Sequence, residues 1–165
     1  MIRRKICLLG SFAVGKTSLA ARFMDRPFPG RYLTTIGVRV DRKVLEVDGR
    51  ALTLLIWDLA GEDRFQRVEP EYLRGAAGYF LVADGTRRAT LDQALLLHAR
   101  AQGVLGTVPF GLLLNKADLE SEWDLDPTAL AGPNTAGWSV FRTSALTGAG
   151  VEDALRSLAR AVLGT

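Results

Sequence analysis

The chain has 165 residues, 48% hydrophobic and 24% charged, with a formal net charge of +3, which places it as one globular domain over residues 1–165 with enough length to bury a core. Its 21 Lys and Arg are scattered, only Lys5, Lys16, Lys43 and Lys116 being Lys, so no nucleic-acid surface is expected. No run reaches the roughly 18 apolar residues of a membrane helix, Met1–Lys5 lacks the apolar core of a signal peptide, and neither Ile2 nor Val162–Thr165 carries a lipidation signal, so the expectation is a cytoplasmic chain with no direct lipid anchor.

Residues 2–9, which end in the apolar run Ile6-Cys7-Leu8-Leu9, predict a first buried strand. The lone Cys7 inside it excludes an internal disulfide and fits a reducing compartment. The run leads into GSFAVGKT, residues 10–17, whose Gly10, Gly15, Lys16 and Thr17 match the phosphate-loop pattern G-x-x-x-x-G-K-[ST]. Strand, glycine-rich loop and helix follow one another as that chemistry requires. Successive backbone N–H groups and the helix N-terminus face phosphates, Lys16 supplies a point charge, and the Thr17 hydroxyl binds Mg²⁺. The loop implies a nucleoside triphosphate and leaves the base open. Phe12 is bulky for such a loop, yet phosphate contact needs the backbone and the glycines, so Phe12 does not prevent binding.

Thr34-Thr35-Ile36-Gly37 offers a hydroxyl ligand on a loop, or equally a plain entry into the next strand. Val38–Val47 and Ala51–Asp58 flank Asp48-Gly49, a strong two-residue hairpin signal, so this pair is expected to be antiparallel. The second strand closes in Trp57-Asp58-Leu59-Ala60-Gly61. There Asp58 can hold Mg²⁺ through water and Gly61 can admit a backbone N–H to the γ-phosphate; a strand-end turn is the plain alternative for Asp58. Pro70 interrupts Asp63–Arg74, so a helix should start afresh near Glu69.

Tyr79–Ala83, Phe110–Leu114 and Ser139–Arg142 complete six strands, apolar enough for a sheet covered on both faces. Between them, Leu91, Ala94, Leu95, His98 and Leu105 sit at helical spacing, with His98 expected as a partly buried packing residue. Asp126-Pro127 should open a short helix that Gly132-Pro133 ends. Val151, Ala154, Leu155, Leu158 and Val162 mark a last helix, with Glu152 and Asp153 in its favourable first turn.

Asn115-Lys116-Ala117-Asp118 follows the fifth strand directly, at the carboxyl edge where doubly wound sheets bind ligands. A carboxylate such as Asp118 accepts two parallel hydrogen bonds from guanine N1–H and N2–H₂, an edge that adenine lacks. Asn115 can bridge base and loop, and the stems of Lys16 and Lys116 can cover apolar surface. Thr143-Ser144-Ala145 ends the sixth strand, where a backbone N–H could read guanine O6.

GSFAVGKT, TTIGV, WDLAGED, NKAD and TSAL, in this order and spacing, resemble the Ras/Rab-type small GTPases over essentially the whole chain. Residues 71–76 (EYLRGA) and 35–38 (TIGV) are more similar to the Rab branch. The resemblance implies an α/β, three-layer P-loop small GTPase fold: a six-stranded, mostly parallel sheet with one antiparallel edge strand, flanked by about five helices. It implies GTP/GDP and Mg²⁺ as ligands. Contacts to the phosphates would come from Gly10, Phe12, Ala13, Val14, Gly15, Lys16, Thr17 and Ser18. Phe28 would pack against the guanine edge, Tyr32 would close over the phosphates, and Ser144, Ala145 and Leu146 would flank the base, Ala145 reading O6. Mg²⁺ ligands would be Thr17, Thr35 (only in the triphosphate state) and Asp58 through water. Lys16, Thr35, Gly61 and Glu62 would serve hydrolysis. Effectors, exchange factors and GTPase-activating proteins would bind two mobile switches, near residues 28–38 and 59–74.

Four features depart from the family. Phe12 stands where Gly or Ser is usual, Glu62 where Gln is usual, the helix after Asp118 is expected to be cut to a turn or two within Pro127–Ala131, and no lipidated tail is expected. The Phe12 ring must point out over the γ-phosphate, where an activating protein's arginine enters in the family. In Ras-type GTPases such an arginine is worth roughly 10³ to 10⁵ in rate. Ionised Glu62 accepts a hydrogen bond from water but cannot donate one as Gln does, and it would be repelled by the γ-phosphate. Nothing in the sequence marks an arginine acting in cis, although Arg31 and Arg64 lie in the switch regions. The expectation is a guanine-nucleotide switch with slow hydrolysis. The alternative is a nucleotide-stabilised interaction module with negligible hydrolysis, a pseudo-GTPase; NKAD argues against an ATP enzyme.

Overall fold

The computed structural model describes residues 1–26, 37–59, 69–125, 130, 135 and 137–164. Its elements run β1 (Ile2–Gly10), α1 (Lys16–Phe23), β2 (Val38–Val47), β3 (Arg50–Leu59), α2 (Pro70–Leu73), β4 (Ala76–Asp84), α3 (Ala89–Leu105), β5 (Phe110–Asn115), a 3₁₀ helix (Ala117–Glu122), β6 (Val140–Arg142) and α4 (Val151–Leu163). One six-stranded sheet has the order β2-β3-β1-β4-β5-β6. Every neighbouring pair is parallel except β2 with β3. The expected α/β architecture is therefore the observed one, with five helices among the described residues.

Local chemistry explains the elements. Asp48 (φ 50°) and Gly49 (φ 76°) both take positive φ, the geometry of a two-residue turn whose twist matches its strands. Pro70 opens α2 at its first position, where a missing N–H costs nothing, with Glu69 before it. Successive residues of the central strand β1 feed opposite layers. Ile6 and Leu8 join Leu19 and Phe23 of α1 and Leu155 and Leu158 of α4. Cys7 and Leu9 join Leu91, Ala94 and Leu97 of α3. Each such large side chain contributes about 1.5–3 kcal/mol by leaving water. The Cys7 thiol is free and fully buried, its Sγ 3.7 Å from the Tyr72 carbonyl, and burial pushes its pKa up to about 12.

The buried row of α3 is Leu91, Ala94, Leu97 and Ala101. Leu95 and Leu105 are only half-buried, because the stripe that meets β4 and β1 leans towards Leu97. His98 sits at the border of that stripe as expected, its Nδ1 2.9 Å from the Tyr79 hydroxyl and its ring 4.4 Å from Phe110 and 4.6 Å from Trp138. Of the helix expected within Pro127–Ala131, only Leu130 is among the described residues. No helix among the described residues is long and apolar enough to cross a membrane.

The sheet order fixes where a ligand can sit. From β1 the chain turns first to the β2–β3 side and later to the β4–β6 side. The crevice beyond the carboxyl end of β1, flanked by β3 and β4, is thus the topological switch point.

Candidate functional site

The loop leaving β1 is shaped by close approach. A Cβ on Gly10 would lie 2.6 Å from the Val82 carbonyl oxygen of β4, so only glycine fits there. Gly15, at φ 104°, takes the left-handed conformation that lets α1 begin with Lys16. Lys16 Nζ donates to the carbonyls of Gly10 and Ser11, each at 3.0 Å, and the side chain is nearly enclosed. Burial lowers its pKa to about 8, against the opposing pull of Asp58 and with the help of Arg87. Phe12 is 45% exposed, so the loop presents its backbone inward without enclosing that ring.

Thr17 and Asp58 meet across the crevice. Thr17 Oγ1, in the first turn of α1, donates to Asp58 Oδ2 at 2.7 Å, and Asp58 is fully buried near the end of β3. A hydroxyl and a carboxylate are hard oxygen donors of the kind Mg²⁺ takes. The buried Ser18 Oγ has no hydrogen-bond partner among the described residues. Such a hydroxyl costs about 1–3 kcal/mol unless a ligand atom meets it.

The fifth and sixth strands bring the second group of residues onto the same loop. Asn115, the last residue of β5, donates from Nδ2 to the Val14 carbonyl at 2.9 Å and accepts Thr143 Oγ1 at 3.1 Å. Lys116, in the left-handed region at φ 69°, donates from Nζ to the Ala13 carbonyl at 3.2 Å and pairs with Asp84 at 2.8 Å. Asp118 is exposed, and one of its oxygens accepts the Ser144 hydroxyl at 2.7 Å, which orients the carboxylate and leaves acceptor capacity for a base. The Ser144 carbonyl accepts Gly148 N–H at 2.8 Å, so across the same trans peptide the N–H of buried Ala145 points the other way. Leu146 is half-exposed beside it, its carbonyl and that of Ala145 both held by Arg22.

Three residues that sequence reasoning missed complete the site. Asp84, the last residue of β4, is buried and accepts Lys116 Nζ at 2.8 Å, Arg87 Nε at 3.0 Å, Thr86 N–H at 2.9 Å and Thr86 Oγ1 at 2.7 Å. Burial alone would raise its pKa, but the bonds from Lys116, Thr86 and Arg87 outweigh burial and hold it below the usual carboxylate range. Its signal was present: a polar residue closing an apolar strand at the same edge as Asp58 and Asn115. Arg87 also reaches the Phe12 carbonyl at 3.0 Å. Trp123 Nε1 donates to the Lys116 carbonyl at 2.9 Å while its ring lies over Gly85, with no room for a Cβ between.

The structure thus brings together Gly10 to Ser18, Asp58, Asn115, Lys116, Asp118 and the Ser144–Leu146 turn around one crevice. Phe28, Tyr32, Thr35, Gly61 and Glu62 lie outside the described residues, as do most of both expected switch segments.

A model of the Ras family matches residues 5–164. The chain is 36% identical over 159 residues to the Ras-related protein RAB1BV of Beta vulgaris, spanning 94% of this chain and 74% of that one. It is 35% identical over 163 residues to the Ras-related protein Rab-4 of Dictyostelium discoideum, spanning 96% and 78%. To the Ras-related protein Rab-13 of Canis lupus familiaris it is 33% identical over 161 residues, spanning 96% and 79%.

Proposed function

Because the chain belongs to the Ras family of GTP-binding small GTPases, we propose that it holds GTP or GDP with Mg²⁺ at the carboxyl edge of the sheet, hydrolyses GTP slowly, and engages effectors, exchange factors and activating proteins through residues 28–38 and 59–74. One observation carries this reading. Asn115 and Lys116 are hydrogen-bonded to the Val14 and Ala13 carbonyls, so the base-reading and phosphate-holding elements form a single rigid unit.

Among the described residues the buried Lys16 ammonium donates to the neutral carbonyls of Gly10 and Ser11, poised to exchange one of them for phosphate oxygens. The orphaned Ser18 hydroxyl would gain a phosphate oxygen in the same crevice. The paired oxygens of Thr17 and Asp58 fit Mg²⁺, Thr17 directly, Asp58 through water, with Thr35 as a further ligand. Bound there, the metal would neutralise charge on the β- and γ-phosphates. Asp118 would pair with the guanine N1–H and N2–H₂, with the Ala145 N–H aimed at O6 and Phe28 along the ring edge. Tyr32 would cover the phosphates. Gly61 would offer its N–H to the γ-phosphate, and Glu62 would stand beside the attacking water as an acceptor unable to donate. A cytoplasmic location belongs to the same reading, supported by the free thiol of Cys7.

Extraction of nucleotide from the purified protein should yield GDP or GTP, and ATP should not compete for the site. Single-turnover hydrolysis should be slow in the parent and faster in Phe12→Gly, Glu62→Gln and the double variant. Equal rates in all four proteins would remove the argument for slow hydrolysis from these two side chains. A protein that binds ATP as well as GTP would end the guanine reading.

A further inference from the structure

The carbonyls of the phosphate loop face two ways. Those of Gly10 and Ser11 turn towards Lys16 Nζ. Those of Phe12, Ala13 and Val14 are each held by a side chain from another element: Arg87 Nη2 at 3.0 Å, Lys116 Nζ at 3.2 Å and Asn115 Nδ2 at 2.9 Å. In a planar trans peptide the C=O and the following N–H point to opposite sides. Holding three successive carbonyls therefore turns three successive N–H groups, of Ala13, Val14 and Gly15, away from the anchors. The reversal falls at Phe12, and Ala13 follows it at φ 61°, a left-handed conformation that a residue with a Cβ adopts only when its surroundings impose it.

Arg87 is built for this. It lies in the turn between β4 and α3, its backbone N–H bonded to the Asp84 carbonyl at 3.0 Å and its own carbonyl accepting Thr90 Oγ1 at 2.7 Å. The guanidinium uses both ends of its fork, Nε on Asp84 at 3.0 Å and Nη2 on the Phe12 carbonyl. Since Asp84 also holds Lys116, one buried carboxylate orients two of the three anchors.

We infer that Arg87 is a positioning residue for the phosphate loop, which by holding the Phe12 carbonyl aims the Ala13 N–H at the phosphates of a bound nucleotide. The inference rests on the guanine-nucleotide site proposed above. It assigns the loop a third arm beside the two that come from the Asn115-Lys116 pair, joined to the Lys116 arm through Asp84.

The test uses the ¹⁵N-labelled full chain, stripped of nucleotide and titrated with GDP and Mg²⁺, as parent, Arg87→Met and Arg87→Lys. Methionine keeps an unbranched apolar stem and removes every donor; lysine keeps a charge for Asp84 but cannot span to the Phe12 carbonyl as well. In the parent, the amide protons of Ala13 and Gly15 should both shift on GDP binding. In both variants the Ala13 response should fall while that of Gly15, set by Asn115 through the Val14 carbonyl, persists. GDP release should quicken about tenfold, as expected for one lost charge-assisted hydrogen bond. Arg87→Lys should keep the parent's melting temperature, which separates aiming from general loosening. Unchanged Ala13 shifts in the variants, or Ala13 and Gly15 responses reduced by the same fraction, would overturn the inference. A parent whose loop amides ignore GDP would instead overturn the nucleotide reading beneath it.

Discussion

Lys16 shows what a single side chain commits the site to. Its pKa is about 8 in the folded, ligand-free protein and 10.5 as a free side chain. Below pH 8 it is charged in both folded and unfolded states, and burying that charge costs about 3 kcal/mol, at 1.36 kcal/mol per unit. Between pH 8 and 10.5 the unfolded chain binds more protons, so this group makes stability rise with pH across that window. A phosphate beside the ammonium reverses the shift. Nucleotide-stripped protein should therefore take up a proton on binding GDP at pH 9 and not at pH 7, read by calorimetry in buffers of different ionisation heat. No proton uptake at pH 9 would mean that Lys16 does not meet phosphate. Asp118 makes a second residue-scale prediction. Asp118→Ala should lower GTP affinity tenfold or more by leaving guanine donors unpaired, and Asp118→Asn should shift preference towards xanthine nucleotides in a competition assay. Gly10 to Thr17 and Asn115 to Asp118 were legible because each packs its chemistry into a few contiguous residues. Arg87 was not, and Asp84 was legible only as a polar strand end, because their partners Phe12 and Lys116 arrive from other elements and only the fold makes them neighbours.

Among the elements, the hairpin of β2 and β3 followed from turn chemistry, and β1 and β5 from the short continuous apolar runs 6–9 and 110–114. The 3₁₀ helix at Ala117–Glu122 did not, since one or two tight turns leave no readable period. The row on α3 was read astray at Leu95 and Leu105, because a sheet that twists beneath a 17-residue helix moves the contact stripe around it towards Leu97. The 3₁₀ helix nevertheless matters to the site, since Trp123 at its end clasps Gly85 and the Lys116 carbonyl. Gly85→Ala would drive a methyl into the indole. The expected result is a loss of about 1–3 kcal/mol in urea unfolding together with weaker GDP binding, as the Lys116 carbonyl loses its donor. Full stability with weakened binding would show that the clasp serves the site alone; no change in either would show that Trp123 can move freely.

For the whole molecule, alternating strands and helices announced an α/β domain, but neither composition nor periodicity says which strand occupies the centre. That order comes from the pairing of β1 with both β3 and β4, and it is what places the phosphate loop between them. It also buries the single thiol of the chain in the middle of the sheet, under helices on both sides. At pH 8 a thiol with a pKa near 12 carries almost no thiolate, and no reagent reaches Cys7 until β1 leaves its neighbours. Alkylation of Cys7 should then follow global opening rather than surface chemistry. GDP at a hundred times its Kd should slow the reaction about a hundredfold, and ADP should leave it unchanged. Rapid alkylation that ignores GDP would mean that β1 frays without the site coming apart. Because every chain carries one such sulfur, the mass spectrum of a partly alkylated sample would count molecules that have opened at least once, turning a silent core residue into a tally of individual unfolding events.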